Sequence, residues 1–183
     1  YDEKHVSPSI DVRFAASGEA QAALEAKIPG LRGKRVSAVI WTTTPWTLPG
    51  NLALAFHPDA DYGFFPVEGT DDVLLIARAL RETALARWNR FEGALGDPLG
   101  EMKGAALEGV RFRHPWIDRD SPGVLGDYVT LDSGTGVVHT APGHGWDDYL
   151  TGVRYGLDIY CPVDEAGRFL PEIEGFAGRK VFD

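Results

Sequence analysis

The sequence has only one cysteine, Cys161, and no long apolar run. A single thiol can form neither an internal disulfide nor a four-cysteine zinc site, so nothing here requires an oxidising compartment. The longest apolar stretches, 36–41 and 73–77, fall far short of the roughly 18 residues that a transmembrane helix needs. The basic and then apolar segments of a signal peptide are also missing. These absences favour a cytoplasmic protein.

Positive charge is scarce as well. The chain carries 18 Lys and Arg residues against 27 Asp and Glu residues, a formal net charge of −9. Because binding to nucleic acid by phosphate neutralisation needs clustered cations, this balance argues against a free-standing nucleic-acid-binding protein. The 44% hydrophobic and 25% charged shares are close to globular averages and exclude a disordered, collagen-like or coiled-coil chain. We expect one domain over residues 1–183, excised from a longer protein because it begins at Tyr1.

Strand signals dominate the chain. Alternating, β-branched or aromatic runs predict strands at 9–16, 35–43, 52–56, 62–67, 73–77, 128–131 and 136–140, with another near 106–113. Helical composition and spacing predict helices at 19–27, 79–91 and 146–155. Because strands outnumber helices and follow one another directly, we expect an α+β fold with a mainly antiparallel, barrel-like β core and flanking helices.

The first unusual segment follows the most apolar predicted strand and reads WTTTPWTLPGN, from Trp41 to Asn51. Four hydroxyls and two indoles lie within its first seven residues. One interpretation is a plain strand end with threonines of high β-propensity and a proline turn. However, Pro45 interrupts any strand ladder and keeps Thr44 extended, which leaves polar groups for another purpose. The alternative is therefore a site for a polar ligand.

The second unusual segment reads GTGVVHTAPGHGWDD, from Gly134 to Asp148, and passes from a strand through a glycine-rich turn into a helix. Two glycines flank His144, which permits close approach of a ligand to the main chain. The helix start can hold an anion, or its amides can be capped by the local carboxylates. The segment also contains four residues of types that bind metals, namely His139, His144, Asp147 and Asp148. Their spacing matches no recognised zinc motif, so we expect no metal.

Other catalytic schemes find little support. There is no Gly-x-Ser-x-Gly elbow, and Cys161 followed by Pro162 is typical of a small core residue rather than a nucleophile. No phosphate-binding loop is present, and Gly134-x-Gly136 precedes a strand instead of joining a strand to a helix. We expect neither covalent catalysis nor ATP chemistry in this chain, and no cofactor.

Both unusual segments closely resemble the editing insertion of isoleucyl-tRNA synthetases. They occur in the family's order, and the resemblance extends to Ser7–Ile10 at one end and to Tyr155–Leu157 and Pro162-Val163 at the other. Thr44 stands where related valyl and leucyl enzymes usually carry arginine, which favours the isoleucyl branch. The resemblance implies the editing-domain fold of class I synthetases. ATP binding would belong to the rest of the full-length enzyme.

The resemblance also implies a function in protein biosynthesis, namely hydrolysis of valyl-tRNA specific for isoleucine, with valyl-adenylate as a further candidate substrate. One methylene is worth only roughly 1–3 kcal/mol, so a pocket that accepts isoleucine cannot exclude valine strongly. A second pocket that admits valine and rejects isoleucine multiplies the discrimination. The implied partners are the aminoacylated 3′ end of the isoleucine tRNA, the valyl moiety and the rest of the synthetase chain.

Residue roles follow from matching positions. Asp148 would pair with the α-ammonium of the aminoacyl group, its alternative role being a helix cap. His139 would form the wall that excludes isoleucine. Thr42, Thr43 and Thr44 would bind the terminal adenosine or orient water, and these hydroxyls are, with Asp148, the candidate catalytic groups. The remaining candidate substrate-binding residues are Trp41, Trp46, Asn51, Thr140, Ala141 and His144.

Two rival functions remain open at this point. The chain could be a noncatalytic module that binds the tRNA acceptor end, or a metal-dependent hydrolase built on His139, His144 and Asp148. No strong base stands beside the threonines, so the group that activates water is unassigned, and His144 is one candidate.

Overall fold

The computed structural model describes residues 8–88 and 94–182. Nine strands occur in these ranges: β1 (Ile10–Ala16), β2 (Arg35–Thr42), β3 (Ala53–Phe56), β4 (Asp61–Pro66), β5 (Asp72–Ala77), β6 (Glu101–Lys103), β7 (Arg111–Arg113), β8 (Asp120–Leu125) and β9 (Val137–Thr140). The α-helices are α1 (Gly18–Lys27), α2 (Arg81–Trp88) and α3 (Trp146–Tyr155). Short 3-10 helices lie between them, including Pro45–Gly50 after β2.

The strands form one mixed sheet in the order β6-β4-β5-β2-β1-β7-β8-β3-β9. Six pairings are antiparallel, and β2 with β5 and β3 with β8 are parallel. The α+β class and the mainly antiparallel sheet are therefore confirmed. The sheet is not a closed barrel within the described residues, because the outermost strands, β6 and β9, do not pair with each other.

The central strands are buried on both faces. Val36, Ala38 and Ile40 of β2 join the main core cluster, whereas Val39 points into a second cluster with Trp88 of α2. A strand covered on both sides needs apolar residues at consecutive positions instead of strict alternation. This explains why β2 and β5 are the most apolar runs of the sequence.

Strand β9 curls back until it lies against β2, although the two strands are far apart in the sheet order. The turn before β9 is fixed to β5 by a 2.8 Å hydrogen bond from Ala77 N–H to the carbonyl oxygen of Thr135. Both unusual sequence segments begin at these strands, since the first follows β2 and the second contains β9. The curl of the sheet therefore brings the two segments together.

Most predicted elements are confirmed, with two corrections. A strand at 128–131 was wrong, since that stretch is irregular and the strand lies earlier, at β8. The single strand near 106–113 is instead a 3-10 helix, Gly104–Leu107, followed by the short β7. The helix at 79–91 begins with a 3-10 turn and continues as α2, and its last three positions lie outside the described residues, as does Ser7.

Candidate active site

A hydrogen bond between the two segments defines the centre of the candidate site. Thr47 Oγ1 lies 2.9 Å from His139 Nε2, and both side chains are buried. Thr47 belongs to the 3-10 helix Pro45–Gly50, while His139 belongs to β9. Residues that are 92 positions apart thus meet in one place.

The hydrogen bonds around Thr47 fix the protonation of His139. The Thr47 hydroxyl donates to the carbonyl oxygen of Thr44 at 2.9 Å. Its only proton is then used, so His139 Nε2–H donates to Thr47 and Nδ1 carries the lone pair. This Nδ1 is buried and has no hydrogen-bond partner among the described residues. Burial, and to a lesser extent the neighbouring His144 and His114, lower the pKa of His139 to about 4, so the ring is neutral at pH 7.

The three predicted threonines have different environments. Thr42 is buried and its Oγ1 accepts from Thr44 N–H at 3.1 Å, while the Thr42 and Thr44 hydroxyls lie 3.3 Å apart. Thr43 and Thr44 are exposed. The Thr42 and Thr44 hydroxyls therefore form one pair, and the Thr47 hydroxyl connects the Thr44 backbone carbonyl to His139.

Asp148 lies in the first turn of α3, and its carboxylate faces the end of β9. Its Oδ2 accepts from Ala141 N–H at 3.0 Å, and no Lys, Arg or His within 8–88 or 94–182 forms an ion pair with it. Burial raises the pKa of Asp148, an effect that the Ala141 hydrogen bond opposes and the neighbouring Asp147 reinforces. A half-buried carboxylate without a cation is a ready receptor for an ammonium group.

Trp46 and His144 lie together at one border of the site. Their rings meet edge to face with centroids 5.4 Å apart, and burial lowers the pKa of His144. His144 also lies 3.9 Å from Cys161 Sγ. A cavity of ≈ 300 Å³ opens beside Pro45 and Trp46 and is lined mostly by apolar and aromatic side chains. The cavity adjoins the site through Trp46, whereas Thr47, His139 and Asp148 do not line it.

Four predicted substrate-binding residues are engaged within the fold. Asn51 is fully buried, with Nδ2 donating to the Ala53 carbonyl and Oδ1 accepting from Ser121. Trp41 packs under Arg87, whose guanidinium lies 5.5 Å from its ring centroid. Thr140 and Ala141 are buried at the end of β9, where Ala141 contributes its backbone N–H to Asp148. Trp41 Nε1 and Thr140 Oγ1 are buried without a hydrogen-bond partner among the described residues.

Thr47 and Arg87 were not among the predicted site residues, although both contact the two segments. Arg87 forms a two-pronged ion pair with Asp11 at 2.6 and 3.0 Å and donates to the Gly134 carbonyl at 3.4 Å. It thereby connects α2 and β1 to the start of the second segment. Thr47 was visible as the fourth hydroxyl of the first segment, but only its partner in the fold reveals its importance. Nothing in the spacing of Arg87 signalled its contacts.

The described residues contain neither a metal-binding cluster nor a membrane-spanning helix. No group of three or more His, Cys, Asp and Glu side chains in 8–88 and 94–182 is placed to hold a metal ion. None of the helices in the same ranges is long and apolar enough to cross a membrane.

The comparisons with known proteins agree on the class. The crystal structure of GlLeuRS-CP1 matches with a TM-score of 0.73 and 16% identity over 96% of this chain and 92% of that chain. The editing domain of P. knowlesi cytosolic leucyl-tRNA synthetase matches with a TM-score of 0.68 and 10% identity, over 100% of this chain and 93% of that chain. At such low identity these matches establish the fold alone, and it is that of a synthetase editing domain.

Sequence similarity identifies the branch, although no protein-family model matches the chain. The chain is 47% identical over 184 residues to isoleucine–tRNA ligase of Shewanella baltica (strain OS185), which covers 100% of this chain and 19% of that protein. It is 50% identical over 187 residues to the enzyme of Aeromonas salmonicida (strain A449), with the same two shares. The chain therefore belongs to the isoleucyl-tRNA synthetase family as its connective-peptide editing domain, and spans about a fifth of the length of these curated relatives.

Proposed function

We propose that the chain is a post-transfer editing hydrolase of an isoleucine–tRNA ligase, which removes valine from the tRNA specific for isoleucine and spares isoleucine. The observation that carries the proposal is the Thr47–His139 hydrogen bond, which unites the two segments around one site. Membership of the editing-domain family supplies the reaction class. Residues 1–183 would act as one domain, in the cytoplasm, with the rest of the synthetase holding the body of the tRNA.

Asp148 would anchor the substrate through its amino group. A charge-assisted hydrogen bond from the α-ammonium to the carboxylate would also fix the position of the neighbouring ester carbonyl. The Ala141 N–H holds one carboxylate oxygen at 3.0 Å, so the side chain is oriented before substrate arrives. The unneutralised, partly buried charge of Asp148 supports this role over that of a simple helix cap.

His139 would set the size limit of the pocket. Its ring is held by Thr47 at 2.9 Å and is buried in β9, so it cannot swing aside for the extra methylene of isoleucine. A rigid wall turns a small difference in side-chain volume into a steric clash, whereas a mobile wall would accommodate both amino acids.

The reaction would be attack by an oriented water. The water oxygen bonds to the ester carbonyl carbon, the bond from that carbon to the ribose oxygen breaks, and a proton passes to the ribose oxygen. Hydroxyl donors from Thr42, Thr43 and Thr44, together with backbone N–H groups, would orient the water and stabilise the developing oxyanion. A ribose hydroxyl of the substrate would assist the proton transfer.

The decisive experiment compares two ester substrates with two carboxylate variants. The chain is incubated with valyl and isoleucyl esters of the isoleucine tRNA, and with small aminoacyl-adenosine esters that do not need tRNA affinity. We expect faster loss of the valyl ester. Asp148→Asn should reduce that rate by about 100-fold or more, the scale of a lost positioning contact. Asp147→Asn, which removes the exposed carboxylate next to it, should retain most of the activity.

Equal background rates for both esters would instead support the noncatalytic module that binds the acceptor end. A valyl-ester rate that disappears after chelation and returns with added metal would support the metal-dependent hydrolase on His139, His144 and Asp148. An unchanged rate in Asp148→Asn would refute the anchoring role of this residue.

A further inference from the structure

The residues 114–121, which we call the bracing segment, hold the back of the 3-10 helix Pro45–Gly50. They make three hydrogen bonds to consecutive parts of the first sequence segment. His114 Nε2 lies 3.0 Å from the Leu48 carbonyl oxygen, Arg119 Nη2 donates to the Pro49 carbonyl at 2.6 Å, and Ser121 Oγ donates to Asn51 Oδ1 at 2.6 Å. None of these three side chains belongs to either segment that carries the candidate site.

His114 is the best defined of the three contacts. Its Nδ1 accepts from Ile117 N–H at 3.1 Å, so the neutral ring carries its proton on Nε2 and donates it to Leu48. The ring is buried, and it packs edge to face against Phe14 and Trp116 with centroid distances of 5.6 and 4.7 Å. Both nitrogens are hydrogen-bonded and the ring packs against two aromatic side chains, so His114 is held in one orientation.

The Leu48 carbonyl, which His114 contacts, belongs to the residue that follows Thr47. Leu48 follows Thr47, whose hydroxyl meets His139 at 2.9 Å. The other end of the 3-10 helix is held by hydrogen bonds from Thr47 to the Thr44 carbonyl and by the edge-to-face contact of Trp46 with His144. The bracing segment supports the helix from outside both sequence segments, at the residues that follow Thr47.

We propose that His114 is a positioning residue for editing, because its hydrogen bond to Leu48 places Thr47 against His139 and so fixes the wall of the amino-acid pocket. His114 touches neither Thr47 nor His139 through a hydrogen bond and acts through the helix between them. The effect on ester selectivity rests on the proposed function, whereas the effect on the Thr47–His139 contact does not.

The test uses three variants of His114 in the full chain and one control. His114→Phe keeps a ring between Phe14 and Trp116 but removes the donor to Leu48. His114→Asn retains an acceptor for Ile117 N–H and is too short to reach Leu48, which provides a second variant if the first fails to fold. His114→Gln restores a donor at the Nε2 position. His57→Phe makes the same chemical change at a turn, where the His57 ring accepts a hydrogen bond from Asp59 N–H at 3.2 Å.

The first readout is the imidazole NMR signal of His139, which reports the Nε2–H donated to Thr47. We expect His114→Phe and His114→Asn to shift or broaden this signal, and His114→Gln and His57→Phe to leave it near its original position. An unchanged His139 signal in both donor-free variants would overturn the proposal, even if their melting temperatures fall. His114 would then stabilise the fold without positioning Thr47 against His139.

The second readout is the preference for valyl over isoleucyl ester. We expect the donor-free variants to lose roughly tenfold or more of this preference, since misplacing a site by about 1 Å can cost about 100-fold in rate. The loss of preference should appear in the kcat values for the two esters, with their KM values little changed. His114→Gln should restore the preference. Full preference in the donor-free variants would overturn the proposal. If the unmodified chain hydrolyses neither ester, the proposed function fails and the NMR readout alone decides the role of His114.

Discussion

At the scale of single residues, His139 combines a buried neutral ring with a fixed tautomer. Thr47 takes its Nε2–H, and the other nitrogen lies buried without a protein partner in the described ranges. Protonation of that nitrogen would place a cation in a site with little water, which is why burial lowers the pKa. Under the proposed function, a neutral ring does not repel the α-ammonium group that Asp148 would bind.

This depressed pKa predicts a loss of stability in acid. The unfolded chain binds a proton at His139 below its ordinary value of 6.5, whereas the folded chain does so only near 4. The free energy of unfolding should therefore fall as pH drops from 6.5 towards 4, by up to about 3 kcal/mol from this residue. Urea unfolding across this window measures the slope.

A matched variant isolates the contribution of His139. His139→Gln removes the titrating group, so its slope should be shallower than that of the original chain. His114 and His144, whose pKa values burial also lowers, retain their contributions of the same sign. Asp148 acts in the opposite direction because its pKa is raised. Identical slopes in the two proteins would show that His139 titrates normally.

The candidate site was only partly predictable at this scale. Residue types and their order singled out the two segments, and the family resemblance then indicated the threonines, His139 and Asp148 within them. The support for these residues was not visible, because Arg87 and His114 act through contacts that span the whole sheet. Such contacts depend on the fold and leave no local pattern.

At the scale of elements, β9 depends on the turn that precedes it. Gly136 adopts φ 73°, and a Cβ at this position would lie 2.3 Å from the Cβ of Ala77 in β5. Its carbonyl also accepts a 2.6 Å hydrogen bond from the buried hydroxyl of Tyr62. The turn is therefore packed as tightly as the strand it introduces.

Substituting alanine for this glycine should cost more than backbone strain alone. Gly69 has a similar φ of 76° but open space around it, so Gly69→Ala should cost only about 1 kcal/mol of left-handed strain. Gly136→Ala should cost a further 1–3 kcal/mol or so, because β5 and the turn must separate. Chemical denaturation of both variants measures the difference. Equal losses would mean that the turn yields without strain.

Strands with a clear hydrophobic pattern were predicted well from the sequence. Strands that are extended only because they pair with neighbouring strands were predicted poorly. The apolar runs of β2 and β5 were evident because both faces are buried. Strand β8 was missed because Ser121-Pro122-Gly123 has the composition of a turn, yet pairing with β3 and β7 makes it extended. Pro122 lies at the Arg111 pairing position of β7, and no local preference reveals that partner.

At the scale of the whole molecule, the charge predicts an unusual salt response. Most proteins that bind nucleic acid through six to ten phosphate contacts lose about 10³–10⁵-fold in affinity between about 50 and 200 mM salt. This chain carries a net charge of −9, so its overall field repels tRNA. We expect kcat/KM for valyl-tRNA to stay level or rise with salt, as screening weakens that repulsion.

The small aminoacyl-adenosine ester provides the reference for that experiment, since it lacks the phosphates of a tRNA and its hydrolysis should be insensitive to salt. A steep decline with salt for the tRNA ester alone would reveal a cationic surface strong enough to outweigh the net charge. The positive residues would then be mapped by charge-reversal variants.

The 92-residue separation between Thr47 and His139 has a consequence for how the domain becomes active during synthesis. A chain emerging from the ribosome exposes the first segment long before β9 exists, and strand pairings of such long range form late in folding. A chain that has not yet been synthesised as far as β9 therefore has the hydroxyls of the first segment but neither His139 nor Asp148. If the proposed function holds, such a chain hydrolyses neither ester, and so it does not remove isoleucine from correctly charged tRNA.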